Sequence, residues 1–305
     1  MNTKLTNTLG TLSLLSLLSF NPVALAKAPQ ANAEFKTGIE HDSKLNIVEL
    51  DQTSEVADTA LTLNAKANIN WQATDALTLK SSYNYNSKKY NRYDAFDLLI
   101  QQVSVDAEYD FNRFSLGASY HFADAELASN DFLTLQQTSL HYATLIKHQY
   151  YFRVATLYKD KKFENLADRN ANNIGLSADS YVFYNSANTF ITFGISTEAE
   201  SADTAFYDYG AIGLKTGVSH KFAWLNLDHQ VQVGWRWLDR QYDNLDPSLN
   251  TERNDTRRNT TAEWTLHFND MISVVSKIDV GQHDSNLAAA NYNETVSSIG
   301  LKAQF

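Results

Sequence analysis

Leu61 to Trp71 reads LTLNAKANINW. Leu61, Leu63, Ala65, Ala67, Ile69 and Trp71 share one parity, while Thr62, Asn64, Lys66, Asn68 and Asn70 share the other. Successive side chains of a β-strand point to opposite faces, so this stretch is a strand with one apolar and one polar side. After QATDA the pattern resumes, with Leu77, Leu79, Tyr83 and Tyr85 opposing Lys80, Ser82, Asn84 and Asn86. It recurs at Val103–Phe111, Phe114–Phe122, Ile174–Val182, Ile191–Ile195, Ile212–Val218, Val231–Trp237, Trp264–Phe268 and Ile272–Val280. The chain ends on the same alternation, VSSIGLKAQF, Val296 to Phe305. Only Leu140 to Tyr158 is too irregular to fix a register. The period of two predicts an all-β fold of about 14 antiparallel strands, with about 12 to 16 as bounds.

The connections alternate in length. QATDA, Asn112-Arg113, YNSAN and FNDM are short, whereas ELDQTSEVAD, ADAELASNDF, KDKKFENLADRNANN, EAESADTAFYDYG and Asp239 to Arg258 are long and polar. Short turns on one side and long loops on the other predict an up-and-down barrel in an outer membrane, with periplasmic turns and extracellular loops. Aromatics support the membrane over a soluble sandwich. Trp71, Phe111, Phe114, Tyr184, Phe268 and Phe305 fall near the short turns, and Tyr85, Phe122 and Trp237 near the long loops, all on the apolar face. Two aromatic girdles are expected where a barrel meets the two membrane interfaces.

The composition agrees. The chain has 305 residues, Tyr 16, Phe 16, Pro 3 and Cys 0. Without cysteine an exported protein has no disulfide staples and needs a large fold. A net charge of -10 makes nucleic acid an unsuitable partner. At the N-terminus Lys4 precedes the apolar run TLSLLSLLSF and then Ala24-Leu25-Ala26. A basic start, a short apolar core and an A-x-A site predict a secretory signal peptide over residues 1–26. Residues 27–305 are then one barrel domain in the outer membrane of a Gram-negative bacterium.

Inside such a barrel the polar faces meet water. Lys66, Lys80, Asp106, Glu108, Arg153 and Arg236 are the charges expected to line the water path and set selectivity, unless they merely pair across strands. The lumen of a barrel this size is open unless something folds inward, and roughly the first thirty residues after Ala26 are a candidate plug. The histidines are scattered, with no paired spacing for zinc, so neither metal nor cofactor is expected. Outer-membrane lipid and lipopolysaccharide are the expected surroundings.

In GQHDSNLAAA, Gly281 to Ala290, the residues His283, Ser285 and Asn286 resemble the H-x-S-N core of outer-membrane phospholipase A and barrel lipid A deacylases. That resemblance implies Ser285 as a nucleophile with His283 as its base. Those enzymes face lipid, however, and here His283 and Ser285 share the lumen parity if no bulge intervenes. The glycine that usually closes the motif is replaced by Leu287-Ala288. A polar turn is the plainer reading.

TGIEHDSKLNIVEL, TAFYDYGAIGL and the C-terminal stretch from Thr256, TRRNTTAEWTLHFNDM onward, resemble the barrel domain of surface lipoprotein assembly modifier proteins. In that family the last strand pair carries a DSN-type loop followed by a tyrosine, matched here by Asp284, Ser285, Asn286 and Tyr292. The resemblance extends to the barrel and not to the family's helical repeat domain, since strand one is expected near Phe35. It implies a periplasmic or lipoprotein partner. The terminal Phe305, with alternating apolar residues before it, resembles the signal by which the barrel assembly machinery recognises its substrates. The first functional expectation is a porin-like, water-filled pore for small polar solutes. An export or assembly barrel for surface lipoproteins or other clients is the alternative, and an acyl hydrolase using Ser285 and His283 the second.

Overall fold

The computed structural model describes residues 27–305, so the signal peptide expected at 1–26 lies outside the described residues. Every alternating stretch is a wall strand. The first is β1 (Gln30–Asp42). Two three-residue strands follow, β2 (Leu45–Ile47) and β3 (Gln52–Ser54), which pair only with each other. The wall resumes with β4 (Asp58–Gln72), β5 (Leu77–Tyr90), β6 (Leu98–Asp110), β7 (Ser115–Leu127) and β8 (Asn130–Ile146). It continues through β9 (Tyr150–Phe163), β10 (Ala171–Tyr184), β11 (Thr189–Ala202) and β12 (Tyr209–Trp224). The remaining strands are β13 (Leu227–Asp246), β14 (Thr251–His267), β15 (Ile272–Ser285) and β16 (Tyr292–Gln304). Fourteen strands form one closed antiparallel ring, each beside its sequence neighbour, with β1 meeting β16.

The apolar faces point outward. Leu61, Ile69, Leu140, Ile174, Ile299 and Leu301 are among the most exposed large side chains of the barrel. Such a surface would drive aggregation in water and is the band a bilayer covers. Aromatics gather at its periplasmic rim: Phe111 stacks on Phe114 at 5.0 Å, and Phe114 on Tyr142 at 5.4 Å. Elsewhere on that rim His229 stacks against Phe222 and Trp264. The Trp264 indole donates to His229 Nδ1 at 3.1 Å, and His229 Nε2 donates to the Trp224 carbonyl at 3.2 Å, so these polar ring atoms are satisfied among apolar neighbours.

The irregular stretch Leu140–Tyr158 resolves into ordinary register, Tyr142 facing Val154 and Leu140 facing Thr156. Its pattern is blurred because the inner positions Tyr151, Ala155 and Leu157 are themselves apolar or aromatic. The long polar connections differ from expectation. ADAELASNDF is two strands joined by Ala128 and Ser129, both at positive φ, and β13 and β14 run on to leave only residues 247–250 between them. Two successive positive-φ residues match the strand twist of a tight hairpin, and Asn-Gly is the usual signal for it. Ala-Ser carries no such signal. The polar residues read as loop are largely strand extending beyond the apolar band.

The ring closes at glycines. Gly38 of β1 faces Gly300 of β16, and a Cβ on Gly38 would lie 2.5 Å from the Ile299 carbonyl oxygen. Backbone approaches backbone there more closely than any side chain permits.

Candidate functional site

The expected plug is smaller than anticipated and lies later in the chain. Gln30–Asp42 is wall strand; only residues 43–57, carrying β2 and β3, turn into the lumen. At its base the hairpin is tied to β16, since Ser43 N–H donates to the Thr295 carbonyl at 2.9 Å and Thr295 N–H donates to Ser43 Oγ at 2.8 Å. Leu45 is fully buried. Asn46 hydrogen-bonds Glu294, and Thr53 donates to the Ala289 carbonyl at 3.1 Å. The tip, Ile47 to Asp51, is a single 3-10 turn over Val48–Leu50, ended by Asp51 in the left-handed conformation at φ 54.

That tip crosses the mouth. Arg169, between β9 and β10, donates from Nη1 and Nη2 to Asp51 Oδ2 at 3.1 Å each, and from Nη1 to the Glu49 carbonyl at 2.8 Å. Arg253 on β14 donates to Asp51 Oδ1 at 2.8 Å. In the ring β10 stands seven strands from β1 in either direction, diametrically opposite the hairpin's root. A cluster of charges and rings receives the tip. Arg253 also grips Asp255, with contacts of 2.9 and 2.7 Å, and lies 4.7 Å over Tyr242. Arg240 sits 4.0 Å over Tyr209, whose hydroxyl donates to Glu200 at 3.0 Å. Lys161 joins Glu200 at 2.5 Å and reaches Glu49 at 3.8 Å. Burial alone would raise the Asp51 carboxyl, but the hydrogen bonds and charges of Arg253 and Arg169 outweigh it and hold Asp51 below the ordinary value of 3.8.

Beneath the hairpin the lumen is open. Val48 roofs a recess of about 560 Å³ against β12–β16, and a second of about 550 Å³ lies along β1, β4 and β5. The six charges singled out from sequence take scattered positions. Lys66 faces Glu34 in register, but the Glu34 carboxylate is held by Lys302 at 3.3 Å. Lys80 and Asp106 face each other across β5 and β6. Glu108 lies 3.4 Å from His141 Nε2. Arg153 faces Asp179, which Lys215 binds at 2.7 Å, and Arg236 faces Lys215. Sequence reasoning missed Asp51, Arg169 and Arg253. The apolar residues Leu45, Ile47, Val48 and Leu50 beside an acidic loop were the one local sign that this segment is buried.

The HDSN stretch keeps strict register between β14 and β16, so His283 and Ser285 sit on the inner face. Ser285 Oγ donates to Asp255 at 2.7 Å and accepts the Leu287 N–H at 3.0 Å. His283 is 5% exposed, stacks on Tyr292 at 4.3 Å and lies 3.4 Å from Glu294. Serine and histidine are two residues apart in sequence, yet among the described contacts no hydrogen bond joins them.

A closed ring with an apolar exterior, aromatic rims and a charged, partly open interior defines an integral barrel of the Gram-negative outer membrane. The family model for surface lipoprotein assembly modifier matches residues 30–301, and the chain belongs to that family. No curated protein matches the sequence. Among solved structures, the chain is similar to outer-membrane expressed OmpT of Vibrio cholerae (8% identity, 91% of this chain and 97% of that one covered, TM-score 0.56). It is also similar to an anion-selective porin from Comamonas acidovorans (6%, 92% and 100%, TM-score 0.54). A bacterial polysaccharide outer membrane secretin is a third (12%, 90% and 97%, TM-score 0.52). At these identities the likeness is one of fold.

Proposed function

We propose that the chain, exported by a leader at residues 1–26, is a gated polar conduit used in assembling lipoproteins at the cell surface. The family supplies the process, and the observation that carries the gating is the hairpin tip fastened by Asp51 to Arg169, opposite its root, and to Arg253 on β14. A barrel for free diffusion gains nothing from a buried, charge-paired bar across its mouth, whereas a barrel that opens only for a client does. A periplasmic or lipoprotein partner is the natural trigger. Phe305 is the residue through which the barrel assembly machinery would recognise the chain, and lipopolysaccharide would surround the outer rim. The second reading is a porin-like pore for small polar solutes. The recesses under the hairpin favour it, and Lys66, Lys80, Asp106, Glu108, Arg153 and Arg236 would then set ion preference. The geometry lends the acyl-hydrolase reading no support, because the Ser285 proton goes to Asp255 inside the barrel.

Deleting the gene and quantifying surface-exposed lipoproteins tests the proposal. Loss of specific lipoproteins from the surface is the expected result. An unchanged surface proteome together with slower uptake of small solutes would replace it with the diffusion pore.

A further inference from the structure

The inner wall under the hairpin tip holds a cluster of cations that the gate does not use. Lys215 on β12 faces Arg236 on β13 directly, and Arg257 on β14 lies on the adjoining diagonal, two residues from Asn259, which is the Arg236 partner. Like charges directly opposite one another destabilise a strand pair. Lys215 is compensated by Asp179 at 2.7 Å, and Arg257 reaches Asp255 only at 3.9 Å. Arg236 has no ion pair or side-chain hydrogen bond among the described contacts. The nearby acids are engaged: Asp279 accepts from Thr261 at 2.5 Å and pairs with Lys277 at 2.8 Å, and Glu294 accepts from Asn46 of the hairpin.

The wall around these cations is stripped of side chains. Gly194, Gly213, Gly217, Gly234 and Gly281 all occupy inner positions of β11, β12, β13 and β15, and Gly217 faces Gly234. That is five of the chain's eleven glycines. Each weakens its strand by about 0.5–1 kcal/mol relative to alanine, and glycine inside a strand marks close approach of a ligand or another backbone. Of these, Gly217 and Gly234 line the recess of about 560 Å³, within the range of about 300–1,000 Å³ typical of small-molecule sites. His283 lines the same recess, 5% exposed, with Nε2 3.4 Å from Glu294 Oε1 and Nδ1 without a hydrogen-bond partner among the described contacts. A buried polar group left without a partner is costly and marks a place for a ligand.

We infer that this recess is a binding site for a small anionic solute, with a carboxylate or phosphate held between the Arg236 and Arg257 guanidinium groups, beside Lys215 and His283. Arginine's planar fork suits either oxyanion. The site stands apart from what the conduit carries, because it needs only that the lumen admit small solutes.

The test is equilibrium dialysis of the folded barrel in detergent against radiolabelled inorganic phosphate and, separately, radiolabelled succinate, at constant ionic strength. Saturable retention of one anion per barrel is expected, weakened at least tenfold in Arg236→Gln and in Arg257→Gln and largely kept in Arg236→Lys. Lys36→Gln, a lumen cation on β1 outside this recess, is expected to leave binding unchanged. Retention of phosphate alone or succinate alone identifies the oxyanion. Retention of neither, or an equal loss in Lys36→Gln, overturns the site in favour of diffuse lumen charge. Heat-modifiable gel mobility establishes that each variant is folded.

Discussion

Arg253 and Arg236 are arginines on the inner faces of adjacent strands, and their surroundings differ in kind. Arg253, at the outer mouth, is 2% exposed, clamped by Asp51 and Asp255 and laid over Tyr242. Arg236, at mid-height, faces a lysine and open space. The first is positioned as structure: its charge is spent on the hairpin, and removing a partner strands another charge. The second is positioned as surface, where charge is left available to whatever enters. One barrel thus has an outer mouth knit together by paired charges and, lower on the wall, an arginine that no carboxylate holds among the described contacts, even though Lys215 facing it and Lys277 on β15 are paired.

Replacing residues 43–57 with a two-residue turn should have the largest effect. Single-channel conductance in planar bilayers should rise severalfold, because the bar across the mouth is gone while the wall strands stay paired. Asp51→Ala should come next. Truncating one partner of a buried pair costs about 3–5 kcal/mol, and the loss should fall on hairpin docking rather than on the barrel. Frequent open events with unchanged heat-modifiability would show this, and a channel as quiet as wild type would mean that the hairpin is held by its base alone. Acid should imitate this change only at an extreme. A carboxylate held below its unfolded value contributes stability above that value and loses it as pH falls through the lower, folded one. Conductance should therefore stay low at pH 5 and rise only below the ordinary 3.8, and Asp51→Ala should abolish that step. Glu49→Gln should matter much less, under about 1 kcal/mol, since Glu49 is half exposed and its lysine lies 3.8 Å away. Smallest of all is Arg236→Gln, which removes one member of a like-charged pair. Thermal unfolding should move by no more than about 0.5 kcal/mol in either direction.

The wall could be read from the chain because lipid demands an apolar residue at every second position; Leu61 to Trp71 obeys this without exception. Where both faces are apolar, as at Tyr151, Ala155 and Leu157, the constraint is met without being visible. The turn at Ala128-Ser129 was hidden for another reason: the strands on either side impose its positive φ values, and the turn residues do not encode it. The hairpin was least legible. Its fastening pairs Asp51 with residues 118 and 202 positions away, and no local periodicity records a contact made only after the ring has closed. Parity did place Arg236 on the polar face, but its neighbour Lys215 and the hollow lined by Gly217 and Gly234 come together only when β12 and β13 pair in the ring.

The meeting of Gly38 with Gly300 has a consequence for biogenesis. Until the thirteen residues of β16 arrive, β1 and β15 are raw sheet margins whose amide and carbonyl groups lack partners. In hydrocarbon such margins are intolerable, and in water they invite other chains to add on. A polypeptide stopped short of its C-terminus would thus be hazardous as well as inactive, and a cell gains by admitting to the bilayer only chains whose last strand has been inspected.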